Sequence, residues 1–192
     1  MQELKDRIVK EGKVLPGNII KVDGFLNHRI DTELMDHIAE EFGKHFNMDE
    51  VTMILTAEAS GIALATICAR EFGVPMVFAK KAKSDNIEGG LYQSDIFYYT
   101  YKKKVTLLVS KDWIKSTDKV LIVDDFMANG EAMRGLCDIV TAAGAELVGI
   151  GCAVEKGFQG GGDRLRAAGV NLKSLAIIES AEPGNIVFRD DD

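Results

Sequence analysis

The feature that most limits how this chain can fold is a series of short, almost wholly apolar runs separated by helical stretches. Val51 to Thr56 (VTMILT), Pro75 to Lys80 (PMVFAK), Lys119 to Asp125 (KVLIVDD), Ala145 to Glu155 (AELVGIGCAVE) and Leu172 to Ser180 (LKSLAIIES) each have the length and β-branched content of a strand buried on both faces. Between them lie IALATICAREFG, a segment from about Gly130 to Ala143, and RLRAAG, which read as helices. Such alternation predicts an α/β domain, with a central, mostly parallel sheet and helices on both of its faces.

The ends and one insertion depart from that rhythm. Glu3 to Lys10 predicts a short amphipathic helix, stopped by Gly12 and the Pro16-Gly17 turn. Asn18 to Arg29 predicts a small hairpin or an ordered loop. Asp31 is placed to cap a second helix that carries Leu34, Ile38 and Phe42 on one face. Lys81 to Lys111 opens polar and Gly-rich, as a mobile loop does, and continues through IFYYTY and VTLLVSK as an antiparallel hairpin. With no repeat and no linker, residues 1–192 are expected to form one domain.

Composition excludes several functions. A net charge of -7 argues against broad nucleic-acid binding, which needs a basic surface to displace counterions; Lys102-Lys103-Lys104 is the one local basic run. Cys68, Cys137 and Cys152 are widely spaced and odd in number, so they read as buried small hydrophobes in a reducing compartment, not as a zinc site or a disulfide framework. The N-terminus lacks the apolar centre of a signal peptide, and no stretch is long enough to span a bilayer. A cytoplasmic protein without membrane partners is expected. His28, His37 and His45 form no constellation with a nucleophile or metal ligand.

Chemistry concentrates at two strand ends. Asp124 and Asp125 close an apolar strand, and a loop then leads into a helix that begins near Asn129-Gly130. Ligands of open α/β sheets bind at the carboxyl ends of parallel strands, and a helix N-terminus offers unpaired N–H groups to a phosphate. Two carboxylates beside a phosphate cradle are compatible when one sugar phosphate spans both, its hydroxyls on the acids and its phosphate on the loop. TAEASG, Thr56 to Gly61, repeats the strand-to-helix arrangement. It reads either as a second anion loop or as an ordinary turn with Ser60 as N-cap. Gly160-Gly161-Gly162 lies between a strand and a helix near Lys156 and reads as a flexible turn.

An apolar strand closing on two acids, followed by a Gly-containing loop into a helix, resembles the phosphoribosyl-diphosphate motif of the type I phosphoribosyltransferases. The loop Ala128-Asn129-Gly130-Glu131-Ala132 lacks the threonines common in that family and resembles the bacterial xanthine-specific members in particular. The matching motifs run from Ile20 to Lys156. The resemblance implies the type I fold with a flexible loop and hairpin over 81–111 and a small hood from the N- and C-terminal segments, 1–30 serving the base. It places the ribose hydroxyls on Asp124 and Asp125 and the 5′-phosphate on Ala128, Asn129, Gly130, Glu131 and Ala132, with Glu131 pointing away from the phosphate. Pyrophosphate falls to Ala57, Glu58, Ala59, Ser60 and Gly61, joined from the flexible loop by Lys80, Lys81, Lys83 and Ser94. The base falls to Ile20, Asn27, Phe126 and Lys156. Lysine is a donor only, which suits a 6-oxopurine; Asn27 would donate to a 2-oxo group, and Phe126 either stacks on the purine or packs in the core. Xanthine and 5-phosphoribosyl 1-diphosphate are the implied substrates, with Mg²⁺ held mainly through the substrate and a homodimer as the assembly. Guanine, hypoxanthine or adenine as acceptor stays open, as does a regulator that senses phosphoribosyl diphosphate.

Overall fold

The structure is a computed structural model that describes residues 1–81, 90–98 and 103–190. The loop expected to hold Lys83, and Lys102 of the basic run, lie outside the described residues. Five strands come close to their expected bounds: β3 (Met53–Ala57), β4 (Met76–Ala79), β7 (Lys119–Met127), β8 (Glu146–Lys156) and β9 (Leu172–Glu182). Ahead of β3 the chain forms α1 (Gln2–Glu11), the short strands β1 (Lys13–Leu15) and β2 (Ile19–Lys21), a π-helical turn over Asp23–Asn27, and α2 (Thr32–His45). The Asp31 carboxylate accepts from the Leu34 N–H at 3.3 Å and so caps α2 as expected. The remaining elements are α3 (Gly61–Phe72), β5 (Leu91–Tyr98), β6 (Lys103–Ser110), α4 (Glu131–Ala143), α5 (Gly161–Ala167) and β10 (Asn185–Phe188).

The main sheet has the order β10-β9-β8-β7-β3-β4, parallel throughout except for β10, which runs antiparallel along β9. Alternation along β7 sorts its side chains between two cores. Leu121 and Val123 face α1, α2 and α3, together with Ile38, Phe42 and Leu64. Val120 and Ile122 face α4 and the β5–β6 hairpin, together with Leu136, Ile139, Ile96 and Leu107. Each such fully buried side chain contributes roughly 1.5–3 kcal/mol of apolar burial, which is why neither face of β7 tolerates a polar run until Asp124.

This order fixes where a ligand belongs. From β3 the chain moves outward through α3 to β4, whereas from β7 it moves the other way through α4 to β8. The winding therefore reverses between β3 and β7, and the crevice at their carboxyl ends is the topological switch point of the sheet. The two segments singled out by sequence, Ala57–Gly61 and Asp124–Ala132, are the loops that leave those two strands.

Candidate functional site

A cavity of about 770 Å³ opens at the switch point. Ala57, Glu58 and Ser60 line it from the β3 side, and Asp124 through Met133 from the β7 side; Asn27, Lys81, Gln159 and Arg164 complete it. Its centre is Asp125, 1% exposed and held on both carboxylate oxygens. Ser60 Oγ donates to Oδ1 at 2.8 Å, and Asn27 Nδ2 donates to Oδ2 at 3.0 Å. Residues separated by 65 and 98 positions in sequence thus meet on one acid. Ser60 does stand at the N-cap position of α3, yet its hydroxyl makes no cap bond and turns to Asp125 instead. The ordinary-turn reading of Thr56 to Gly61 fails on that point.

Asp124 sits behind its neighbour, and its Oδ1 accepts from the Asp125 N–H at 3.1 Å. Burial, and then the charge of Asp125, push the Asp124 carboxyl well above the usual carboxylate range. Gly61 packs so tightly here that a Cβ would collide with the Asp124 carboxylate and the Thr56 hydroxyl. Thr56 Oγ1 is itself fully buried and has no hydrogen-bond partner among the described residues. Glu58 accepts from the Lys81 N–H at 2.5 Å, which ties the loop after β3 to the end of β4. The Glu58–Ala59 peptide is cis.

The second loop ends on Gly130, whose φ of 80° places it in the left-handed region that a side chain disfavours, and α4 starts at the next residue. Asn129 Oδ1 accepts from the Glu131 N–H at 3.4 Å. The Glu131 carboxylate is turned onto Arg134 at 3.2 Å and onto the Phe97 N–H at 3.4 Å. The glycine run, read as a flexible turn, is instead a tight wall. Gly161 and Gly162 are buried, and a Cβ on Gly161 would lie 2.5 Å from the Ala128 carbonyl and 2.6 Å from Gly130 N. Arg164 donates to the Asn129 carbonyl at 2.9 Å and closes that wall. Beneath it Glu155, with no exposure at all, accepts from Arg166 at 2.7 and 3.1 Å and from Ser174 Oγ. Sequence reasoning missed Gln159, Arg164 and the Glu155–Arg166 pair. The only signal was three consecutive glycines, a run that a solvent-facing turn does not require.

The residues expected at the base separate into two groups. Phe126 lines the cavity, packs partly against the core, and carries the Lys156 ammonium 5.4 Å above its ring centroid. Lys156 also donates to the Asn18 carbonyl at 3.0 Å, and burial lowers its pKa from the ordinary lysine value. Asn27 joins this group through Asp125. Neither Lys156 nor Ile20 lines the cavity itself: Lys156 reaches it only through the Phe126 ring, and Ile20 is buried in the first core. Ser94 is not brought to the site either: its hydroxyl is buried and donates to Asp138 of α4 at 2.7 Å. The cysteines are all free; Cys68 and Cys152 are buried and Cys137 half-buried, with burial pushing the Cys68 thiol up to about 12 and Cys137 up to about 11. Among the described residues no group of His, Cys, Asp or Glu is arranged to hold a metal unaided, and no helix is long and apolar enough to cross a membrane.

Two loops meet at one switch point with two acids between them, and Lys156 stands beside the aromatic ring of Phe126. The phosphoribosyl transferase domain profile matches residues 25–168, which contain every one of these groups. The chain belongs to the phosphoribosyltransferase family. Among its relatives, the xanthine phosphoribosyltransferase of Lachnoclostridium phytofermentans is 53% identical over 100% of both chains. That of Bifidobacterium adolescentis is 51% identical over 98% of this chain and 100% of its own. Solved adenine phosphoribosyltransferases share the fold at lower identity. The Rhodothermus marinus structure gives a TM-score of 0.72 at 20% identity, covering 91% of this chain and 98% of that one. The Trypanosoma brucei structure, with AMP, pyrophosphate and ribose-5-phosphate, gives 0.72 at 23%, covering 90% and 78%. As a phosphoribosyltransferase, the chain carries its family's mostly parallel sheet and places the strand ends of that sheet around the cavity.

Proposed function

We propose that this phosphoribosyltransferase transfers the phosphoribosyl group of 5-phosphoribosyl 1-diphosphate to N9 of xanthine, releasing xanthosine 5′-monophosphate and pyrophosphate in purine salvage. The observation that carries the reading is the set of contacts on Asp125. The acid that would meet the ribose is touched by Ser60 from the loop suited to pyrophosphate and by Asn27 from the segment suited to the base. In the reaction Asp124 and Asp125 orient the sugar through its 2′- and 3′-hydroxyls, and the negative field of Asp125 favours positive charge developing at the anomeric carbon. Ala128 to Ala132 hold the 5′-phosphate at the start of α4, and Ala57 to Gly61 with Lys81 hold the diphosphate.

Xanthine is favoured by the names of the relatives at 53% and 51% identity and by donors suited to two ring oxygens, Lys156 for the 6-oxo and Asn27 for the 2-oxo group. Phe126 supplies an apolar face under the base. Mg²⁺, an oxygen-seeking ion, would be held mainly through the oxygens of the substrate, with the carboxylates of Glu58, Asp124 and Asp125 lining the same cavity. When bound, the ion supplies charge stabilisation to the departing diphosphate. We place the enzyme in the cytoplasm as a homodimer; the apolar groove of Pro75, Met76, Val77, Phe78 and exposed Trp113 along β4 supports the assembly.

The test is pyrophosphate release with Mg²⁺ and phosphoribosyl diphosphate against xanthine, guanine, hypoxanthine and adenine. Xanthine should give the highest kcat/KM. A preference for adenine removes the role given to Lys156, and donor binding without turnover on any base points to the regulatory alternative. A monomer in sedimentation equilibrium removes the proposed assembly.

A further inference from the structure

A loop meant for a dianionic phosphate carries a carboxylate of its own. Glu131 is the first residue of α4 and lines the cavity, where the helix dipole attracts any anion, its own side chain included. The carboxylate does not occupy the N–H groups of its loop, because two donors hold it from the far side. Arg134 Nη2 stands 3.2 Å from Oε2, and the Phe97 N–H of β5 reaches the same oxygen at 3.4 Å. Arg134 is fixed in turn: Nη1 donates to Asp138 at 2.6 Å, and Nη2 donates to the Asp95 carbonyl at 2.7 Å. Asp138 also accepts from Ser94. The hairpin can come this close because Gly135 leaves α4 bare at the contact; a Cβ there would lie 2.5 Å from Ile96 and 3.0 Å from Leu107.

We propose that Arg134 is a positioning residue that sets the affinity of the loop for the 5′-phosphate by holding the Glu131 carboxylate away from it. The inference rests on the phosphoribosyl reading of the site. Without Arg134 the carboxylate keeps only a long bond to Phe97 and swings toward the helix N-terminus, where it repels the phosphate. An ion pair three residues apart at a helix surface contributes little to folding by itself; the bonds to Asp138 and the Asp95 carbonyl are the part of Arg134 that serves the scaffold. The same contacts make the hairpin part of the phosphate site, although none of its described residues lines the cavity: Asp95 and Phe97 hold the clamp and the carboxylate respectively.

The experiment is a double-mutant cycle on ribose 5-phosphate binding, measured by calorimetry, with R134Q, E131Q and the pair. R134Q alone should weaken ribose 5-phosphate on the order of tenfold, as a like charge brought near a phosphate does, with KM for the donor rising and kcat changing less. In the E131Q background the same Arg134 change should cost less than about twofold, because the repelling charge is gone. R134K, which keeps the charge, should recover most of the affinity. Wild-type affinity in R134Q overturns the proposal, as does an equal loss in both backgrounds, which would assign Arg134 to the scaffold through Asp95 and Asp138. The phosphoribosyl reading is judged separately, on whether the wild-type protein turns over donor and base at all.

Discussion

Replacing Asp125 by asparagine should make the protein more stable and almost inactive. Asp125 is 1% exposed, and its charge is the second cause, after burial, of the raised Asp124 carboxyl. A carboxyl whose folded value exceeds its unfolded one weakens the fold as pH rises between the two, because the folded state keeps a proton that the unfolded state has released. The part of that penalty that comes from the neighbouring charge is lost when the charge is removed. The Asp125→Asn change removes that charge and keeps the shape. The new carbonyl accepts from Asn27, and the new amide donates to Ser60, whose hydroxyl turns from donor to acceptor. The neutral acceptor weakens the bonds from Ser60 and Asn27 and offsets part of this relief, so the unfolding midpoint should rise by less than about 4 °C. The rise should vanish below about pH 3, where Asp124 is protonated in both states. Hydrogen bonds to a charged acceptor contribute about 1.5–3 kcal/mol each, and the lost field at the anomeric carbon adds to this, so turnover should fall on the order of 10²- to 10⁴-fold. Scanning calorimetry near neutrality and at about pH 3, beside initial rates with saturating donor, reads both effects. A lower midpoint at neutral pH, or a rate within about threefold of wild type, would refute the reasoning.

Arg166→Met should cost about 3–5 kcal/mol in urea unfolding, because it strands the fully buried Glu155 carboxylate; adding Glu155→Gln should restore part of that loss, and equal stability of the two variants would argue against the pair. Gly161→Ala, with no room for its methyl beside the Ala128 carbonyl, should raise KM for the donor and cost roughly 1–3 kcal/mol; unchanged kinetics would mean that the two loops do not share a wall. Base affinity should fall as pH rises through the Lys156 pKa, which burial sets below the ordinary lysine value. In Lys156→Gln that alkaline limb should disappear from the kcat/KM profile, and its persistence would assign the limb to another group.

The sequence made the main sheet legible because its strands are buried on both faces and so written as continuous apolar runs. The site was legible to the same degree: Asp124, Asp125 and the loops of Thr56 to Gly61 and Ala128 to Ala132 are local punctuation of those runs. Contacts made across the fold were not. Ser94 looks like any hydroxyl in a polar insertion until β5 packs on α4 and turns it to Asp138. Ile20 sits in a segment that closes toward the base, yet strand pairing with Val14 aims it into the core. β10 escaped notice because its four residues alternate between exposed and half-buried as an edge strand's do, without the apolar run of a central one. The Gly160-Gly162 run misled for a related reason: glycine reports either freedom or lack of room, and only the neighbouring chain decides between them.

That shared wall also bears on how the protein can be re-engineered. The segment that would receive the 5′-phosphate is moulded on its outer side by Gly161, and a guanidinium thirty-five residues away in sequence holds the Asn129 carbonyl. The two segments touch at these points, so a change of shape in one is felt by the other. A threonine-rich loop grafted over residues 128–132 would therefore arrive in a mould cut for a different casting, and residues 159–164 would have to be transplanted with it. In this chain the unit of exchange is the pair.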